Sequence, residues 1–253
     1  MSESGAVLFA RYAYAPNELG YCGPAEAQTL FDVGVTGRAH ADIESIARRF
    51  SGAWPYAALL AELAGIADPL DERVMRAYWT GGPLLDAVDR ETFGVKLLEV
   101  IGAQAGHYWT HLRPELLGEA APTHGFHVFG VYPWTRLLAG GHAEQPLHVL
   151  DNCRIRFGQV SSVEGEHVIV RTRQLTWDGC QLGLGPATGQ RVRFATDGRS
   201  FVSNPVAGDW LALHWDSACE RLSPDQLTYL QRGTAWQLRL TNQRLARERN
   251  MTT

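Results

Sequence analysis

The chain has 253 residues, of which 45% are hydrophobic and 20% charged, with a formal net charge of −4. That suffices for a sizeable core, in one large domain or two small ones. The mild acidity removes the electrostatic case for nucleic acid or an anionic membrane as partner.

No apolar window of about 18 residues occurs, so no transmembrane helix is expected. The opening "MSESGAVLFARYAYA" lacks a basic start and is broken by Arg11. It is not read as a signal peptide, and the expected location is the cytoplasm. Cys22, Cys153, Cys180 and Cys219 are scattered with no CxxC pair, so they are expected to be thiols.

The first distinctive stretch is "PNELGYCGP", in which Pro16, Asn17, Gly20, Gly23 and Pro24 surround Glu18, Tyr21 and Cys22. It reads as a rigid loop entering a helix at Pro24 that stops near Gly34. A helix N-terminus beside Cys22 would lower its thiol pKa. The plainer reading is a structured turn with Cys22 buried.

Further helices follow in "DIESIARRF", "PYAALLAELAG", "DERVMRAYW" and "ETFGVKLLEVIGAQAGHYWTHL", from their apolar spacing and end signals. His107 and His111 lie four apart in the last of these. That spacing suits a metal, but HExxH is absent and a helix surface is the simpler reading. "THGFHVFGVYPW" carries His124 and His127 and reads as a non-helical patch. Its HxxH spacing can bring two rings to one metal, against a purely structural role for both. Residues 1–147 are expected to form an all-α domain of four to six helices.

From residue 148 the period becomes two. "CRIRFGQV", "EHVIVRTRQLTW", "CQLGLG", "QRVRFAT" and "DWLALHW" are short runs punctuated by Glu164-Gly165, Asp178-Gly179 and Asp197-Gly198. Such turns between alternating runs signal hairpins. Residues 148–253 are therefore expected to form a small antiparallel β-barrel closed by a C-terminal helix that starts at Ser223-Pro224, giving an α+β chain. No phosphate loop, nucleophile elbow or dinucleotide fingerprint occurs, so no nucleotide cofactor is expected.

Two segments of this second half carry a resemblance. Cys153 is followed by Gly158, Gln159, Val160, Val163, Glu164 and Gly165; further on, Gly208, Asp209, Trp210, Leu211 and Leu213 lead to His214. In that order they resemble the small hydrogenase-assembly chaperones of the HypC/HybG/HupF type, over about a third of the chain. Those proteins begin on the cysteine, whereas Cys153 is internal, their proline is Phe157 here, and the stretch from 176 to 204 is longer. The whole chain also resembles an uncharacterised prokaryotic family pairing "PNELGYCGP"-like and "HGFHVF"-like segments with this barrel.

The chaperone resemblance implies an OB-like barrel, with Cys153 opening the hairpin and facing His214 as iron ligands. It also implies a protein partner, either a metalloenzyme subunit or a maturation factor. Thiolate and neutral imidazole are apt donors for iron, with zinc the alternative. A thiol beside an imidazole is also expected to ionise more easily. Cys22, His124 and His127 are further candidate ligands. Three classes stay open: an iron-holding accessory protein, a metalloenzyme with a Cys/His site between the two halves, and a metal-free interaction module. Whether the chain is an enzyme is left undecided.

Overall fold

The computed structural model describes residues 4–39, 42–105, 112, 114–140 and 143–250. His107 and His111 lie outside them. α1 (Gly5–Glu18) is buried along most of its length and capped by Ser4.

α2 (Ala27–Thr36) begins three residues after Pro24 and ends at Gly37, whose φ is +66°. Gly34 is therefore not the stop. It lies inside the helix, where a Cβ would come within 2.6 Å of the Phe201 ring. Next come α3 (Ile43–Arg48), α4 (Trp54–Leu63), α5 (Glu72–Thr80) and α6 (Arg90–Ala105). Asp42 and Asp71 accept from main-chain N–H groups at the starts of α3 and α5, as N-caps do.

The expected non-helical patch is helical. α7 (His124–Phe126) runs directly into a π turn, His127–Val131. Such a turn re-aims side chains within a helical stretch and is frequent at functional sites. α8 (Trp134–Leu137) and α9 (Glu144–Cys153) complete this layer. Cys153 thus ends a helix instead of opening the hairpin, and the first strand starts at Arg156.

The strands are β1 (Arg156–Glu164), β2 (His167–Trp177), β3 (Leu182–Arg193), β4 (Ala195–Thr196), β5 (Arg199–Ser200), β6 (Trp210–His214) and β7 (Ser217–Arg221). Five form a closed sheet in the order β1-β2-β3-β7-β6. Its pairings are antiparallel except where Arg193 of β3 meets Ser217 of β7 in parallel. β4 and β5 make a separate two-stranded sheet joined through Asp197 and Gly198, both at positive φ.

The two resemblance segments pair with each other, Gly158 opposite Leu211 and Gln159 opposite Trp210. The Gln159 amide also donates to the Gly208 carbonyl. Asp209 pairs with Arg221 at 2.9 Å. Gly165 and Gly208 supply the positive φ values of two turns.

α10 (Pro224–Asn250) opens on a reciprocal cap between Ser223 and Gln226, the capping-box arrangement. The largest buried cluster joins α1, α4 and α5 to Val149, Ile155, Ala212, Trp215 and Leu230. A smaller one of Val160, Val168, Val170, Val192, Leu211 and Leu213 fills the sheet. Upstream helices and downstream strands therefore share one core, and α9 runs unbroken through residue 148. Among the described residues no helix is long and apolar enough to cross a membrane.

Candidate metal centre

One cavity of about 150 Å³ collects side chains from both halves. Cys22, His124, His127, Cys153 and His214 all line it. Each arrives on a different device. The "PNELGYCGP" loop delivers Cys22; α7 and the π turn deliver His124 and His127. Cys153 comes from the last residue of α9, and His214 from the end of β6.

The loop is tied from within. Asn17 donates through Nδ2 to the carbonyls of Cys22 and Pro24, at 2.8 and 2.5 Å, and accepts from the Glu26 N–H. Gly20 and Gly23 lie at positive φ, and a Cβ on Gly23 would fall 2.3 Å from the Phe50 ring. Glu18 accepts from Tyr14 and pairs with Arg193, tying the end of α1 to β3. Tyr21 stacks on Trp215, with ring centroids 3.9 Å apart.

His124, Cys153 and His214 have donor atoms within 4.8 Å of one another, close enough to hold one metal ion. Cys22 and His127 share the cavity but stand outside that trio. His214 Nδ1 lies 2.6 Å from the Tyr12 carbonyl. A carbonyl only accepts, so Nδ1 carries the proton and Nε2 presents a lone pair. Nε2 is buried with no partner among the described residues. A ligating histidine is ordinarily held in this way, its second nitrogen donating to a main-chain carbonyl.

His124 is differently disposed. Nε2 is 2.8 Å from the Cys153 carbonyl and Nδ1 is 3.0 Å from the Tyr78 hydroxyl. The proton therefore sits on Nε2, and Tyr78 donates to Nδ1. Ligation through Nε2, 4.0 Å from Cys153 Sγ, requires the proton to move to Nδ1. Tyr78 can accept it there, because a phenol is both donor and acceptor. His127 packs against Tyr132 at 4.3 Å between centroids, and its Nδ1 has no partner.

Burial sets the charge states. It holds His127 down to about 3 and His214 to about 4, and His124 well below its ordinary value. All three rings are therefore neutral near pH 7, as metal ligands must be.

Burial pushes Cys22 up to about 12 and Cys153 higher still, each in the direction set by lost hydration. The expected easing of Cys153 ionisation by a neighbouring imidazole is thus absent, since a neutral ring supplies no charge. The expected dipole effect on Cys22 is absent too, because α2 starts five residues further on. A divalent cation would supply the positive charge that a buried thiolate lacks. The donor set, a thiol with soft sulfur and imidazoles, fits iron or zinc.

Sequence reasoning missed Tyr78, Tyr132, Trp79 and Trp215, which complete the walls, and the carbonyl of Tyr12. None carries a local motif. Tyr12 sits in the middle of an apolar helix, and only its main chain contributes.

A helical layer sharing its core with a closed five-stranded sheet, around a buried cysteine–histidine cavity, defines the class of protein. The chain belongs to DUF6390, a family of unknown function whose model matches residues 1–248. No curated protein and no solved structure matches it. The expectation of an uncharacterised family stands, whereas the resemblance to hydrogenase-assembly chaperones has no counterpart in these comparisons.

Proposed function

We propose that the protein holds one divalent transition metal, iron in the first instance and zinc in the second, through Cys153 and His214 with His124 as third donor. One observation carries this reading. His214 is locked by Tyr12 with its free nitrogen buried, unpartnered and beside a thiol. Leaving a buried acceptor unmatched costs about 1–3 kcal/mol, so the arrangement calls for a ligand at that atom.

The cavity is too small for a drug-sized substrate, which needs about 300 Å³ or more. It has room for an ion with one or two small co-ligands. That favours a metal-holding accessory over an enzyme acting on a larger molecule.

The test is purification without oxygen, metal analysis and an infrared spectrum across the CO and cyanide stretching region. About one metal per chain is expected. Diatomic bands with iron support the accessory reading. Iron or zinc without bands supports a small-molecule metalloenzyme. A folded chain that neither carries nor takes up metal overturns the proposal.

A further inference from the structure

A second cavity, of about 390 Å³, lies between the end of α5, α7 and α10. Its volume falls in the range of small-molecule sites. Trp79, Phe129, Ile155 and Leu230 give it apolar walls, and Arg90, Arg232 and Asp86 line it at exposed positions.

Among its polar lining residues Gln237 is 2% exposed. The orientation of that amide is fixed. Nε2 faces Glu119 Oε2 at 3.2 Å and Thr241 Oγ1 at 3.3 Å, and Thr241 in turn donates to the same Glu119 oxygen. A carboxylate accepts only, so the amide nitrogen must be the atom on that side. The carbonyl Oε1 is thereby turned away, buried and without a partner among the described residues. The indole N–H of Trp79, in the same wall, also lacks one.

The exposed positions have the opposite chemistry. The Arg90 guanidinium lies over the Trp236 ring, 4.5 Å from its centroid. Stacking occupies the face of a guanidinium and leaves its edge N–H groups free. Among the described residues neither Arg90 nor Arg232 is paired with a carboxylate. A buried acceptor, apolar walls and a net positive charge from Arg90 and Arg232 over Asp86 select a particular kind of molecule.

We infer that this cavity binds a small aromatic carboxylate that carries a hydroxyl at its far end. The ring lies against Trp79 and Phe129, the hydroxyl donates to Gln237 Oε1, and the carboxylate meets Arg90 and Arg232. This cavity shares the Trp79 wall with the metal cavity, but the inference does not depend on the metal reading.

Gly233 provides the test. It lines the cavity from α10, and a Cβ there meets nothing within 4 Å. Gly233→Trp, or Gly233→Leu if the larger residue impairs folding, therefore fills the cavity from an open position. The probe is 4-hydroxyphenylacetate, titrated by calorimetry into the full chain, with 4-methylphenol as the neutral comparison.

The expected result is one saturable site that disappears in the Gly233 variant while metal content and thermal midpoint hold. Arg90→Gln with Arg232→Gln should weaken the carboxylate by about tenfold or more, the equivalent of one charged hydrogen bond, and leave 4-methylphenol unchanged. Absence of saturable binding, binding that survives both Gly233 variants, or equal affinity for the acid and the neutral phenol would each overturn the inference.

Discussion

His214, at the end of β6, donates through Nδ1 to the main-chain carbonyl of Tyr12, in the middle of α1, across 2.6 Å. This bond joins the two halves of the chain and decides which ring nitrogen faces the cavity. Tyr12 is itself fixed, because its hydroxyl bonds Glu220 at 2.5 Å and Glu220 pairs with Arg76 at 2.8 Å. The free nitrogen of His214 thus rests on a buried scaffold of ionic and neutral contacts.

Cys153→Ser should abolish most metal binding. A serine hydroxyl stays protonated and is a hard, poor donor. The swap is nearly isosteric at a half-buried site, so stability should change by no more than about 1 kcal/mol. Cys180 is exposed, follows the Asp178 turn and lines no part of the cavity. Cys180→Ser should therefore match the unaltered protein. Metal analysis of the two purified variants decides it, and full metal content in Cys153→Ser would remove the thiol from the ligand set.

Tyr78→Phe separates the two histidines. Among the described residues the Tyr78 phenol is the hydrogen-bond partner of His124 Nδ1, and it must accept the Nδ1–H hydrogen bond for Nε2 to ligate. The variant should weaken metal affinity about tenfold, a loss within the usual span for an outer-shell partner. His214→Ala should cost more, because it removes a pre-set donor. Competition with a chromogenic chelator measures both.

The metal-free protein should lose stability as the pH falls from about 6.5 toward 4. His214 and His127 titrate near 4 and 3 when folded, and His124 also lies low. In the unfolded chain all three titrate near 6.5. Across that window the unfolded state binds more protons, so stability rises with pH, by at most about 1.4 kcal/mol per pH unit for each ring. Urea unfolding at pH 7 and pH 5 after chelation measures the difference. Equal or greater stability at pH 5 would contradict the burial of these rings.

Tyr21→Ala should leave folding almost intact and make the metal easier to remove. Tyr21 is 47% exposed, yet its ring covers Trp215 at the cavity wall. The expected change in stability is about 1 kcal/mol or less, with faster loss of metal to EDTA by stopped-flow. Gly23→Ala is the contrasting variant. It strains a φ of +78° and drives a methyl into Phe50, so it should destabilise by about 1–3 kcal/mol.

The sequence made some of this legible and hid the rest for physical reasons. Hairpin turns announced themselves because Gly165, Gly179 and Gly198 are needed at positive φ. Asp42, Asp71 and Ser223 marked helix starts for the same local reason, an unsatisfied N–H. The "HGFHVF" stretch misled, since its glycine and aromatics suggest extended chain, and packing against Tyr56, Tyr78 and α10 holds it helical instead. Cys153 was singled out as the start of a hairpin and in fact ends a helix, because the switch from period 3.6 to period 2 falls three residues after it. The convergence of five candidate ligands on one cavity is a matter of tertiary packing, which no spacing within a single segment reveals.

The distribution of those residues along the chain has a consequence for biosynthesis. Cys22 leaves the ribosome first and His214 last, so nearly two hundred residues are polymerised between the earliest wall of the cavity and the final one. Domains and compact units fold as the chain emerges, yet here the innermost helix waits for the penultimate strand before its carbonyl finds the imidazole. Any metal held in this cavity can therefore be captured only after β6 has emerged, and a nascent chain stalled before β6 presents its thiols without the His214 ring.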